Sequence, residues 1–196
     1  MIDHWKKINA DKVAAIIDLK ELKAESIALL GADMWPEKFI DELSVADRWV
    51  DAIKVLAHAL PRREAVWWAC MCATQVESLA AEPEEQAALE SAEKWVFKPT
   101  DEHRLDAFQR AQKSRSSSLG TMCALAAAFS QEKLPIAKDQ EIEVDIAEFP
   151  KLISGTIVMA ASMRDKAEFN EWLQNFLASG TNIACGGNGV IEKKAG

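Results

Sequence analysis

Apolar and polar positions predict helices along most of the chain, and one stretch is apolar on every side. Each side chain from Ala65 to Ala73 is apolar or small, so a helix here meets core whichever way it is turned. Pro61 favours a helix start, because its fixed φ suits a first turn and its missing N–H would be unpaired there. The pattern predicts a central helix over about 62–80, with the rest of the chain packed around it.

A second stretch, from Leu119 to Phe129, is also nearly all apolar and is rich in alanine. Small side chains shorten the distance at which two helix axes can pack. We therefore expect this helix to lie directly against the central one.

Amphipathic stripes predict the remaining helices. One stripe has spacings of 4, 3 and 4 residues and comprises Trp49, Ile53, Leu56 and Leu60. Pro83 and Thr100 mark two further helix starts, and Gly180 is expected to end the last helix as a C-cap. Together the stripes predict an all-α fold, a single-domain orthogonal or irregular bundle of about eight helices over residues 1–196.

Two segments depart from the helical pattern. Over 130–150, Ile142, Val144 and Ile146 alternate with acidic residues, which is the period of a strand. No partner strand is evident, so we predict one extended surface connection. The glycine-rich segment 181–196 does not fit a phosphate-binding loop, since no strand precedes it and no G-K-[ST] follows. We predict a turn and a loose tail there.

Composition and charge narrow the classes of function. The chain of 196 residues is 49% hydrophobic and 28% charged, as in ordinary globular proteins. Its net charge of −8 argues against general binding to nucleic acid or to anionic lipid. Apolar runs are too short for a membrane span, and the N-terminus lacks the apolar core of a signal peptide. We expect a cytoplasmic protein that binds neither nucleic acid nor membrane.

The cysteines and histidines show no metal-binding pattern. The four cysteines, Cys70, Cys72, Cys123 and Cys185, form no C-x-x-C pair, and the three histidines are scattered. We expect reduced thiols, none of them catalytic, with no metal and no cofactor. G-x-S-x-G and H-E-x-x-H motifs are absent from the sequence, so we predict a protein that is not an enzyme and has no catalytic residues.

Charged residues at two helix starts are candidates for partner binding. Arg62 and Arg63 lie in the first turn of the central helix, where the helix dipole disfavours each cation by about 0.3–1 kcal/mol. They are therefore expected to meet acids of the chain or an outside partner. Arg104 could form a binding cluster with Asp101 and Glu102, although helix capping also explains these two acids. Trp67, if exposed, would anchor a partner. The predicted partner-binding set is Arg62, Arg63, Glu64, Trp67, Asp101, Glu102 and Arg104.

The segment 60–70, LPRREAVWWAC, resembles the signature of an uncharacterised family of bacterial all-helical proteins of about this length. A second block, residues 92–104, and a weaker third, 179–187, are similar to other marked stretches of that family. The resemblance covers most of residues 25–190. The chain differs in having Cys185 where the family tends to show Arg, and Gln131, Glu132 and Lys133 where the family is richer in Gly and Ser. The resemblance implies no activity, but it implies an association with type VI secretion.

These observations leave three hypotheses about function. The first is a non-catalytic adaptor or chaperone that docks a secretion component or effector, and an exposed apolar patch rimmed by charge would favour it. The alternative is an immunity protein that neutralises a toxin, favoured by an acidic concave face. A less favoured third is an enzyme, which a deep pocket with converging titratable groups would indicate. In the first two, the partner is another protein; the oligomeric state is left open.

Overall fold

Helices make up most of the chain, as the hydrophobic pattern predicts. The computed structural model describes residues 5–8, 12–76, 82–114, 118–137 and 140–191. Its α-helices are α1 (Val13–Ile16), α2 (Ala24–Ile27), α3 (Pro36–Val45), α4 (Trp49–Ala59), α5 (Arg62–Ala73), α6 (Pro83–Phe97), α7 (Asp101–Lys113), α8 (Leu119–Ala128), α9 (Phe149–Ser162) and α10 (Phe169–Ala184). Short 3-10 turns cover Leu19–Glu21, Ile146–Glu148 and Lys166–Glu168, and two strands, β1 (Lys133–Ala137) and β2 (Gln140–Glu143), form one pair. The prediction of an all-α fold is confirmed.

The helix starts follow local capping chemistry. Pro36 and Pro83 occupy the first turns of α3 and α6, where a missing N–H costs nothing. The Thr100 hydroxyl accepts a hydrogen bond from the backbone N–H of His103 at the start of α7, 3.4 Å. At the start of α8, the Ser118 hydroxyl accepts from the N–H of Thr121, 3.3 Å. Each cap satisfies a donor that the helix itself leaves unpaired.

The two apolar helices lie in contact at the centre of the bundle, as predicted. α5 contacts α6, α8, α9 and α10, and α8 also contacts α6, α7 and α9. Trp68 of α5 is fully buried, and its indole N–H donates to the carbonyl of Phe176 in α10, 2.7 Å. At Gly120, α8 lies so close to α6 that an added Cβ would overlap the carbonyl oxygen of Glu85. Gly120 thus permits tight packing of α8 against α6.

The central helix is shorter than predicted. It ends at Ala73, with Thr74 as the capping residue, rather than near residue 80. The Thr74 hydroxyl donates to the carbonyl of Met71, 2.8 Å, and local side-chain bonds of this kind compete with continuation of a helix. Part of the predicted extension, residues 77–80, lies outside the described residues.

A β-hairpin lies in the segment 130–150, where we expected an extended connection without a partner strand. β1 pairs antiparallel with β2, and Leu134 lies opposite Ile142. Leu134 is fully buried, and β1 contacts α7, so one face of the hairpin covers the helices. Pro135 conceals β1 in the sequence, because proline lacks the N–H of a central strand and demotes a strand prediction. The expectation of a lone extended segment is therefore wrong.

The last helix continues past Gly180, which we expected to be its C-cap. α10 extends to Ala184, so Gly180 lies within it. Packing explains the glycine at this position, because an added Cβ would be 2.5 Å from Cε2 of Trp68. Hydrogen bonds hold the segment after α10 against that helix as far as the described residues extend, although most of its side chains are exposed. The carbonyl of the buried Gly189 accepts a hydrogen bond from the Ser179 hydroxyl, 2.6 Å, and its backbone N–H donates to Oδ1 of Asn182, 2.9 Å. Residues 192–196 of the predicted tail lie outside the described residues.

Candidate protein-interaction surface

Four helix ends converge at one corner of the bundle and bring the predicted partner-binding residues together. The first turn of α5 contacts the last turn of α6 and the segment after α8, and the first turn of α7 reaches the last residue of α8. We call this region the helix-end corner. It comprises Arg62, Arg63, Glu64, Trp67, Asp101, Glu102 and Arg104.

The two adjacent arginines bind backbone carbonyls of the chain, although we expected acids or an outside partner. Arg62 Nη1 donates to the carbonyl of Ser130, two residues past α8, at 2.9 Å. Arg63 Nε donates to the carbonyl of Val96 in the last turn of α6, at 2.5 Å. Carbonyls at a helix C-terminus lack intrahelical partners and carry the negative end of the dipole, so guanidinium groups stabilise them. Both side chains are nevertheless exposed, and their binding to a partner stays a prediction.

Arg104 is buried, which corrects its assignment as a residue that touches a partner. Its exposed fraction is 1%. Nη2 donates to the carbonyls of Ala128, 2.9 Å, and Lys133, 2.8 Å, and Nη1 donates to the Asp101 carboxylate, 2.9 Å. The side chain therefore ties α7 to the end of α8 and to β1. Asp101 and Glu102 lie on the surface beside it.

Trp67 and Phe97 form an aromatic patch on the surface of the corner. Their ring centroids are 5.8 Å apart in an edge-to-face arrangement, which is a favoured aromatic geometry. Phe97 is 73% exposed, whereas Trp67 is half-buried and donates from its indole N–H to the carbonyl of Asn188, 2.8 Å. Sequence reasoning missed Phe97. The available signal was an aromatic residue one position beyond the buried pair Trp95 and Val96, just before the break at Pro99.

Glu64 connects the corner to the start of the chain. Its carboxylate lies 3.4 Å from Lys7 Nζ, and the backbone N–H of Lys7 donates to the carbonyl of Ala184 at the end of α10, 2.9 Å. The pair is partly exposed and contributes at most about 1 kcal/mol. Glu64 therefore has a structural contact while its carboxylate stays accessible from the surface.

A second surface lies between α8, β2 and the start of α9. It is a groove of about 450 Å³, which we call the acidic-rimmed groove. Its apolar lining comprises Leu125, Phe129, Ile142, Val144, Phe149 and Leu152. Its charged lining comprises Glu143, Asp145, Glu148 and Lys151. Three carboxylates are not expected in a gap of the hydrophobic core, and six apolar side chains are not expected on an ordinary solvated surface.

A third concavity, of about 480 Å³, lies on the other side of the α9 start and contains His58. Its His58 Nε2 is 3.3 Å from Glu21 Oε2, and Lys54 Nζ donates to the Glu21 carbonyl, 2.7 Å. These contacts tie the 3-10 turn at residues 19–21 to α4. The bonding of His58 is accounted for by this structural contact.

Three of the four cysteines are buried in the core. They are Cys70, Cys72 and Cys123, while Cys185 is exposed; all four are free thiols. A hydrogen bond with Cys123 and burial raise the pKa of Cys70, and burial raises the pKa of Cys72. A raised pKa disfavours the thiolate, which is the nucleophile and the metal ligand. In the described part of the chain, no three His, Cys, Asp or Glu side chains are grouped so that they could hold a metal ion.

Within the described ranges, every helix falls short of the length and apolar character needed to cross a bilayer.

The described residues place the protein in the all-α class, with a helical bundle, a β-hairpin and surfaces that combine apolar and charged residues. The chain belongs to a family of unknown function, DUF6931, whose family model matches residues 39–184. The match begins inside α3 and ends with α10, so it includes the helix-end corner and the acidic-rimmed groove. No curated protein and no solved structure matches the chain significantly.

Proposed function

We propose that the protein is a non-catalytic adaptor or chaperone that docks another protein through the aromatic patch of the helix-end corner. The observation that carries this proposal is Phe97, which is 73% exposed although it lies against the ring of Trp67. Large aromatic side chains are enriched among the residues that dominate binding energy at protein interfaces. An apolar centre within a charged surface fits such an interface.

The surroundings of the patch supply the rim and the rigidity of an interface. Asp101 and Glu102 are exposed on the neighbouring helix start, and the exposed arginines Arg62 and Arg63 are fixed to backbone carbonyls. Side chains held in one rotamer lose less entropy on binding than free ones. The corner therefore presents a preorganised surface to a folded partner.

The resemblance in segment 60–70 supports the choice of partner. We assign the partner to type VI secretion, as a component of the machinery or as an effector, and the site of action to the bacterial cytoplasm. The buried free thiols are compatible with a reducing compartment.

The test is affinity purification from the native organism, followed by reconstitution with the purified partner. Phe97→Ser should weaken partner binding at least about tenfold, since aromatic anchors contribute ~2 kcal/mol or more. Val45→Ser is the matched control, because Val45 is 86% exposed at the end of α3, and it should bind normally. Both variants should melt like the native protein. Equal binding by all three proteins, or a partner unrelated to secretion, would contradict the proposal.

An immunity protein is the second candidate, and the acidic-rimmed groove favours it. A net charge of −8 and three carboxylates around a concave surface suit a basic toxin. The two candidates differ in the behaviour of the captured partner. An effector that stops growth when expressed alone, and is silenced by this chain, identifies an immunity protein. A partner without toxicity identifies an adaptor or chaperone.

A further inference from the structure

We infer that the acidic-rimmed groove binds a cationic amphipathic peptide segment of a partner protein, in which apolar residues alternate with Lys or Arg. This site is separate in chemistry from the aromatic patch, and the inference does not depend on the function proposed for that patch. The occupant is defined by the floor, the rim and the strand edge of the groove.

The floor of the groove is apolar and incompletely covered. Leu125, Phe129, Ile142 and Val144 are each half-buried, and they come from α8 and the hairpin. The ring of Phe129 lies 5.8 Å from the ring of Phe108 in α7, so the floor is held in place from behind. A preformed apolar concavity of a few hundred Å³ is typical of ligand sites, and it requires apolar groups in its occupant.

The rim of the groove is acidic. Glu143, Asp145 and Glu148 supply three carboxylates. Among the described residues that line the groove, Lys151 is the one cation, and its Nζ is already bound to Glu148 at 2.6 Å. Lys133, outside the lining, lies 3.6 Å from Glu143 and 2.9 Å from Glu141, so two lysines face four carboxylates. The rim is therefore left with excess negative charge beside apolar surface. Complementarity of charge selects an occupant that carries cations next to its apolar groups.

The outer edge of β2 favours an extended segment. The N–H of Val144 donates to the carbonyl of Glu132, 2.8 Å, and the register places Leu134 opposite Ile142. Hydrogen-bonded and non-hydrogen-bonded pairs alternate in an antiparallel ladder, so the backbone groups of Glu141 and Glu143 point away from β1. In the described part of the chain, no backbone hydrogen bond outside the ladder engages these two residues. An added strand could pair with this edge, as in β-augmentation.

A labelled heptapeptide of alternating lysine and leucine is the probe, with fluorescence anisotropy on the full chain as the readout. We expect saturable binding that weakens as salt is raised from ~20 to ~300 mM, because exposed charges are screened. A peptide with glutamate in place of lysine should not bind. A lysine–leucine peptide of the same composition, but with the residues in two blocks, should bind at least about fivefold more weakly, since it cannot match floor and rim together.

Matched variants locate the site. Glu143→Gln with Glu148→Gln should reduce affinity at least about fivefold, and Leu125→Ser should reduce it by a similar factor. Glu42→Gln with Glu84→Gln removes the same charge from exposed positions in α3 and α6 and should bind normally. Thermal melting confirms that each variant is folded.

Three results would overturn the inference. Absence of saturable binding at low salt is the first, and equal weakening by the two double variants, which indicates general attraction to an acidic protein, is the second. The third is a dimer in sedimentation that Leu125→Ser abolishes, which means that a second copy fills the groove. Phe97→Ser should leave peptide binding unchanged, so a failure of this inference is distinguishable from a failure of the function proposed above.

Discussion

The helix-end corner and the acidic-rimmed groove share the end of α8 but use charge in opposite ways. Ser130 presents its carbonyl to the corner, while Phe129, the residue before it, lines the groove. At the corner, three guanidinium groups donate to carbonyls of the chain. At the groove, three carboxylates surround apolar side chains. Charge therefore stabilises the fold at the first surface. At the second, Glu143 and Glu148 form exposed ion pairs with lysines, which a cationic ligand can replace.

This difference changes how the charged residues beside the central helix are interpreted. The dipole cost of two arginines at the start of α5 suggested acids of the chain or an outside partner, and the structure gives them backbone carbonyls at the end of α6 and just after α8. A local cost at one helix start is thus offset by capping at two other helix ends. An unfavourable charge in a sequence can indicate an intramolecular contact as well as an intermolecular one.

The largest expected effect tests the corner as a structural unit. Arg104→Met should lower the free energy of unfolding by about 3–5 kcal/mol, because buried carbonyls at the end of α8 and in β1 lose their donor. Arg110→Met is the control, since Arg110 forms a surface ion pair with Asp106 and its loss should cost less than about 1 kcal/mol. Urea denaturation measures both. Equal losses of unfolding free energy in the two variants would mean that the buried hydrogen bonds of Arg104 stabilise the fold no more than a surface ion pair does.

A smaller effect is expected from charge reversal at the two exposed arginines. Arg62→Glu with Arg63→Glu should lower stability by about 1–2 kcal/mol, a value below that of fully buried bonds because solvent screens both side chains. Melting in denaturant reports this loss, and partner capture is measured on the protein that stays folded. Normal melting together with weakened capture would instead make the arginines interface residues.

The smallest effect is expected at the groove. Glu143→Gln with Glu148→Gln should change the free energy of unfolding by less than about 0.5 kcal/mol, since their ion pairs with Lys133 and Lys151 are exposed. Thermal and chemical melts check this directly. A loss as large as that of the arginine variants would show that the rim stabilises the fold, and the contrast between the two surfaces would disappear.

Local patterns predicted the helices well, because their causes lie within a few residues of each other. The apolar run from Ala65 to Ala73 and the cap at Thr100 both correspond to observed helices. β1 was missed because Pro135 weakens its local pattern, and Gly180 was taken for a helix end. The partner strand of β1 is close in sequence, since Pro135 lies opposite Glu141, so the proline itself concealed this strand. For Gly180 the deciding contact, with Trp68, is distant in sequence.

The candidate site was predicted in part for the same reason. The sequence placed Arg62, Arg63 and Trp67 at one helix start, and the structure adds α7 and the ends of α6 and α8 around them. Burial of Arg104 could not be foreseen, because its acceptors lie in α8 and β1. Exposure of Phe97 likewise depends on how α6 packs, which single-sequence periodicity does not determine.

The packing of Trp68 on Gly180 couples two positions that are far apart in the chain. A side chain at position 180 would overlap the indole at 68 and the Leu56 methyl group, 2.7 Å from the added Cβ. The two positions therefore cannot vary independently. In an alignment of many family members we expect covariation, with a bulkier residue at 180 accompanied by a smaller one at 68. The contact between α5 and α10 would then be detectable from aligned sequences alone, as paired substitutions that keep the summed side-chain volume constant.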